Sequence, residues 1–234
     1  MRDSFFQSSL FEIEPAFSWP EVVTSAALEA VAGEKGQVIA FFGHRGLLAL
    51  GHYLMAWRLL QDESIILVDG ANIIDLPLIL RFARGFNRNR RELLNRIHLS
   101  RAFTLHQLEA CISERLEEAL KKYSSRLCFV SGFLDAFYNE EVPFREAARI
   151  LDKTAKKLRA LADQGHRVIV LAPDPPMPTQ RKSLAPGVIR AADRTFSLVQ
   201  EKDRCVLMDD TQTVRKQNRF FPSMPFPIRR TAPR

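Results

Sequence analysis

Cysteine is scarce in this chain: Cys111, Cys128 and Cys205 are the only three in 234 residues, and they lie far apart. An odd, scattered set builds neither a disulfide framework nor a zinc-type pair, which predicts a reducing, cytoplasmic setting. Long apolar runs are missing too. The greasiest stretch, residues 47–60, is broken by Gly51, His52 and Arg58 and stops short of the ~18–20 residues of a membrane span, so no membrane partner is expected. An acid, Asp3, stands where a secretory leader would carry a basic segment, so no such leader is expected either. What is there has the balance of a globular protein, 46% hydrophobic and 26% charged, which excludes collagen-like, disordered and coiled-coil classes. The length suits one larger α/β domain with small appendages.

The formal net charge is +7, and it is concentrated. Residues 81–101 hold seven arginines (81, 84, 88, 90, 91, 96, 101) against one acid, Glu92. Residues 211–234 hold Arg215, Lys216, Arg219, Arg229, Arg230 and Arg234 with no acid, interleaved with Phe220, Phe221 and Phe226. Clusters of this kind suit a polyanion: lysine and arginine take backbone phosphates and aromatics stack on bases. The alternative for the first cluster is a solvated face paired with acids such as Glu114, Glu117 and Glu118. For the second it is a basic segment that packs along a sheet edge or clasps a protein.

Periodicity predicts a helix over residues 22–31, a strand over 37–42, a helix over 45–60 that is apolar on nearly every side, and a strand over 64–68 ending at Asp69-Gly70. Helical segments follow near 74–84 and 90–97, with a short strand option at 97–99. Thr104 and Gln107 form a capping box, and apolar residues at 105, 108, 112, 116 and 119 mark one helical face. A strand over 127–130, a helix opened by Pro143 and closed by Gly165, and a strand over 167–172 come next. A proline-rich loop over 173–186 then leads to a hairpin, 194–200 with 204–208. Strands alternating with helices predict an α/β three-layer sandwich: a mostly parallel sheet, helices on both faces, and a C-terminal antiparallel hairpin. Three parts are expected: an aromatic and polar extension (1–21), a core domain (22–210) and a basic, proline-rich tail (211–234). Ligands of such a sheet bind at the C-terminal ends of its strands.

Two segments carry a family resemblance. The run T-S-A-A-L-E-A-V-A-G-E-K-G-Q-V-I-A-F-F-G (24–43) resembles the approach to the phosphate loop in the core ATPase domain of the RecA/RadA recombinase family. R-I-H-L-S-R-A-F-T-L-H-Q-L (96–108) is similar to a segment between that family's second and third core strands. The resemblance covers residues 22–210 and implies a RecA-like fold. It does not bring the chemistry, because a phosphate loop needs G-x-x-x-x-G-K-[ST], with lysine for the phosphates and a hydroxyl for magnesium. The aligned octet here is Gly43-His44-Arg45-Gly46-Leu47-Leu48-Ala49-Leu50, with Ala49 at the lysine position and Leu50 at the hydroxyl position. A frame starting at Gly46 recovers Gly51 but puts His52 at the lysine. Ser131 stands where the family's Walker B aspartate would be, and Gly70, Ala71 or Asn72 where its catalytic glutamate would be. The independent losses at lysine, hydroxyl and Walker B aspartate imply a degenerate phosphate loop and a pseudo-ATPase that needs neither ATP nor magnesium. Asp69 and Asp135 stay as carboxylates near the expected cleft. No catalytic constellation is found, and the histidines at 44, 52, 98, 106 and 166 make no metal-ligand spacing.

The family touches DNA through two loops, which map to residues 135–145 and 173–190. The first is acidic at Glu140 and Glu141; the second offers Arg181 and Lys182. The expected nucleic-acid contacts are therefore Arg84, Arg88, Arg90 and Arg91, then Arg181 and Lys182, then Arg215, Lys216, Arg219, Arg229 and Arg230. The leading expectation is a non-catalytic accessory protein of DNA repair and recombination, binding DNA and a RecA-type partner through the N-terminal aromatics. A scaffold or regulatory subunit without a nucleic-acid role is the alternative, and a noncanonical ATPase the third. Oligomeric state, a homo-oligomer included, stays open.

Overall fold

Successive side chains of a strand point to opposite faces, and here both sets are apolar. In the computed structural model, which describes residues 21–83, 88–138, 141–175, 179, 181, 184–201 and 204–211, these runs form one sheet. The strands are β1 (Gln37–Gly43), β2 (Ile65–Asp69), β3 (Ile97–Arg101), β4 (Leu127–Ser131), β5 (Arg167–Pro173), β6 (Arg194–Glu201) and β7 (Arg204–Asp209). Their order across the sheet is β3-β2-β4-β5-β1-β6-β7. Every neighbouring pair is parallel except β6 and β7, which form an antiparallel hairpin. The three strands β2, β4 and β5 are buried along their whole length, as a parallel sheet covered on both sides demands.

The helices divide between the faces. Ile39, Phe41, Leu67, Phe129 and Ile169 pack under α1 (Glu21–Ala32), α2 (Leu47–Leu60), α3 (Leu76–Ala83) and α4 (Arg90–Asn95). The alternate residues Val38, Ala40, Val68, Val130 and Val168 pack under α5 (Leu105–Ala110), α6 (Leu116–Lys122), α7 (Phe144–Asp163) and α8 (Ala185–Ala191). The chain is thus an α/β sandwich of three layers with a C-terminal hairpin. Among the described residues no helix is long and apolar enough to cross a membrane.

Two elements depart from the periodicity, and the strand option at 97–99 is realised. The helix over 105–122 is interrupted by a π-helical turn, Cys111–Arg115, so the buried face runs through Ile112, Leu116 and Leu120, with Ala119 only at its margin. An extra residue in a turn rotates everything after it, and strict 3.6 spacing cannot anticipate that. The proline-rich loop is shorter than expected, because Ala185 and Pro186 open α8, whose Val188 is buried. Proline is suited to a first helical turn, where its missing N–H costs nothing. The segment at 97–99 is a strand, an edge strand paired with β2 alone.

Candidate functional site

The C-terminal ends of β1, β2, β4 and β5 bring the expected residues together. After β1 the backbone turns sharply at Gly43, with φ +103°. The His44 N–H then donates to the Leu198 carbonyl at 2.8 Å, and the Asp174 N–H donates to the Gly43 carbonyl at 2.7 Å. The Gly46 N–H donates to His44 Nδ1 at 3.1 Å. The N–H groups of Leu47, Leu48 and Leu50 donate to the carbonyls of His44, Arg45 and Gly46 at 2.9, 3.0 and 3.2 Å. A phosphate cradle works through backbone N–H groups left free to point at the anion. Here the donors of residues 44, 46, 47, 48 and 50 are engaged within the protein, and α2 begins at Leu47 so that Arg45 and Gly46 belong to the turn. Ala49 and Leu50 follow in the first turn of α2, and Leu50 is buried in the core.

Arg45 leans across the cleft. Its Nη1 lies 3.4 Å from Asp135 Oδ1 and 3.3 Å from the Asp174 carbonyl. Burial pushes the Asp135 carboxyl above its ordinary value, with Arg45 pulling the other way and Asp69 adding to the rise. Asp135 Oδ2 and Ser131 Oγ are both buried without a hydrogen-bond partner. The neighbouring Tyr138 phenol is pushed up to about 12 by burial first and then by Asp135 and Asp174, so it stays protonated at neutral pH.

Asp69, fully buried, is a structural acceptor. Its carboxylate takes the N–H groups of Ala71, Ile73 and Ile74 at 3.3, 3.0 and 3.0 Å, and Arg101 Nε stands 3.6 Å away. His52 holds the same loop from α2. Its Nε2 accepts the Asp75 N–H at 2.9 Å, which places the ring proton on Nδ1, 2.5 Å from the Leu48 carbonyl. Burial lowers the His52 pKa most, against the Leu48 carbonyl and the charges of Asp75 and Asp69. The unfolded chain then binds the proton more readily than the folded one. The His52 contribution is complete above its ordinary value of 6.5 and is lost as pH falls below it. In urea unfolding at pH 7.5 and 5.5, His52→Gln is expected to lose less stability between the two than the parent does; equal losses would rule out the bonded neutral ring. Among the described residues no group of three His, Cys, Asp or Glu side chains could hold a metal ion.

Of the expected nucleic-acid contacts, Arg88, Arg90, Arg91 and Arg181 lie among the described residues, and Arg181 stands apart from the other three. Arg90 and Arg91 are exposed on α4 and make no ion pair among the described residues. Arg88 and Arg96 both reach Asp62, Arg88 at 3.0 Å, and these bonds hold the Asp62 carboxyl below its ordinary value. Among the described residues the acids paired with this cluster are thus Asp62, in the turn after α2, and Asp69 at Arg101, in place of Glu114, Glu117 or Glu118. Arg181 corrects the second-loop expectation. It is 7% exposed, and its guanidinium donates to the carbonyls of Phe137 and Val142 at 3.2 and 2.5 Å, tying one loop to another inside the protein. A charged group can be buried where backbone carbonyls satisfy it, and it is then not available to a surface phosphate. Arg84, Lys182, Arg215, Lys216, Arg219, Arg229 and Arg230 lie outside the described residues, as do residues 1–20 and Glu140. No protein-family model matches the chain, and no curated protein matches it in sequence.

Proposed function

We propose that the protein is a non-catalytic, RecA-like accessory factor of DNA repair or recombination that binds DNA and uses no nucleotide chemistry. The observation that carries this reading is the turn at the phosphate-loop position. There the N–H donors of residues 44, 46, 47, 48 and 50 are already bonded within the chain, beside Ala49 and Leu50 in place of the lysine and hydroxyl. The Asp135 carboxylate near that cleft faces Arg45. DNA as the partner is supported by the exposed Arg90 and Arg91, which precede edge strand β3, and by Phe103, 70% exposed just beyond it. The basic segment from Arg215 adds charge of the same sign.

A scaffold role without nucleic acid is the second reading. It is favoured by the neutralisation of Arg88 and Arg96 at Asp62 and by the burial of Arg181, which together remove part of the phosphate-facing charge. Fluorescence anisotropy with single- and double-stranded DNA, at 50 and 200 mM salt, separates the two. Duplex affinity is expected to fall with log salt at a slope of about −0.9 per phosphate neutralised, and Arg90→Ala with Arg91→Ala is expected to reduce that slope by about 2. A chain ending at Thr211, which keeps the Thr195 N–H to Thr211 Oγ1 bond of 3.1 Å, measures the share of the basic segment. Absence of binding at low salt overturns the DNA reading and leaves the scaffold.

A further inference from the structure

The opposite end of the sheet, where β2, β4 and β5 begin, holds a polar pocket of about 490 Å³. Two turns bound it, and both pass through left-handed residues: Asp62 (φ 64°) after α2 and Ser124 (φ 49°) after α6. Ser125 Oγ donates to the Ser64 carbonyl at 2.6 Å and so ties the two turns together. The Arg167 N–H donates to the Arg126 carbonyl at 2.7 Å, which sets the first residue of β5 beside the approach to β4.

Three arginines meet here. Arg58, 4% exposed, is fully occupied: Nε and Nη2 clasp the Glu63 carboxylate, and Nη1 reaches the Ala32 carbonyl at 3.3 Å. Arg167 is equally buried and is not occupied. Its Nη1 donates to the Val31 carbonyl at 3.0 Å, its Nε has no hydrogen-bond partner, and no carboxylate lies within ion-pair distance among the described residues. Taking a guanidinium out of water with no carboxylate in direct contact is costly; Glu63 and Glu34 offset it only from a distance, and the neighbouring Arg58 adds like-charge repulsion. Arg126, exposed at the rim, also has no ion pair among the described residues. Of the acids lining the pocket, Glu63 is held by Arg58 and Asp62 by Arg88 and Arg96, which leaves exposed Glu34 as the free carboxylate. The balance at Arg126 and Arg167 is positive.

We propose that this pocket is an anion site whose ligand presents an oxyanion, a carboxylate or a phosphate group, to Arg167, with Arg126 closing over it from the rim. A guanidinium matches two oxygens of such a group in one plane, and the hydroxyls of Ser124 and Ser125 line the same space. The site lies at the opposite end of the sheet from the turn after β1.

The test uses the full-length protein, titrated with sodium acetate and with sodium phosphate against sodium chloride of equal ionic strength, followed by thermal unfolding and calorimetry. One of the two oxyanions is expected to raise the unfolding midpoint saturably, by about 3 °C at ten times its dissociation constant, whereas chloride does not. A response to acetate alone identifies a carboxylate ligand, and a response to phosphate alone a phosphate. Arg167→Gln is expected to abolish the shift. Should that variant fail to fold, Arg126→Ala, at an exposed position, is expected to weaken the affinity about fivefold. A midpoint that follows ionic strength alone, or a shift unchanged in both variants, overturns the site.

Discussion

Asp69→Ala is expected to lower the unfolding free energy by about 3–5 kcal/mol in urea titration at neutral pH. The alanine removes the acceptor of three N–H groups, those of Ala71, Ile73 and Ile74, from a position with no solvent access, and it strips Arg101 of its carboxylate. Each buried donor left unmatched costs about 1–3 kcal/mol, less where the loop relaxes toward water. Asp69→Asn is the informative companion. With its amide oxygen at the Oδ1 place it keeps the bonds from Ala71 and Ile73 and turns an NH2 group against the Ile74 N–H, so a loss about half as large is expected. A loss below about 1 kcal/mol for the alanine would mean that the loop finds other acceptors. A carboxylate engaged by three backbone donors organises a loop; the same residue type at the same strand end in an ATPase would act on metal or water, and stability separates the two roles.

Gly43→Ala is expected to cost about 4 kcal/mol or more, and Gly165→Ala about 1–2, although both glycines have positive φ. At Gly43 (φ +103°) an added Cβ would stand 2.3 Å from the Leu198 carbonyl oxygen, with the Leu198 carbon and nitrogen at 3.1 and 3.2 Å. These are backbone atoms of the paired strand β6, so no side chain can swing away, and relief requires prising β1 from β6 at the register pair Gly43 and Leu198. At Gly165 (φ +95°) a Cβ would meet nothing within 4 Å, and only the conformational strain counts. Denaturant unfolding of the two variants measures the clash as their difference. Equal losses would mean that strain, and not the approach of β6, makes glycine necessary after β1.

The layers were legible because apolar continuity and helical spacing act within a dozen residues. Residues 37–42 and 167–172 read as buried strands, and residues 144–162 as one amphipathic helix, close to what is observed. The π turn at Cys111–Arg115 and helix α8 were not, since a single inserted residue and a helix behind prolines leave no periodic trace. The candidate site divides in the same way. Gly43, Asp69 and Ser131 at strand ends follow from element order alone. Arg45 against Asp135, ninety positions apart, and Arg88 and Arg96 on Asp62 depend on which loops the sheet order sets side by side. Arg181 and Arg167 show the limit for charge counting: each counts as one positive residue, yet one is held by backbone carbonyls and the other lines a polar pocket at the start of β5.

The strand order has a consequence for how the chain is made. β1, the first strand of the sheet in chain order, lies between β5 and β6, with Gln37 opposite Arg167 and Ile39 opposite Arg194. The unit β3-β2-β4 assembles from neighbouring segments, whereas Val38, Ile39, Phe41 and Phe42 have no strand on either side until β5 and β6 have been synthesised. Contacts so distant in sequence close slowly, and an apolar strand with two open edges is meanwhile a template for other nascent chains. During that interval α2, which follows β1 directly and packs Leu47, Leu50 and Leu54 into the same core as Phe41, is the nearest cover for one face of that strand. Growth conditions that slow translation between β1 and β5 would prolong this exposure and favour inclusion bodies over native protein.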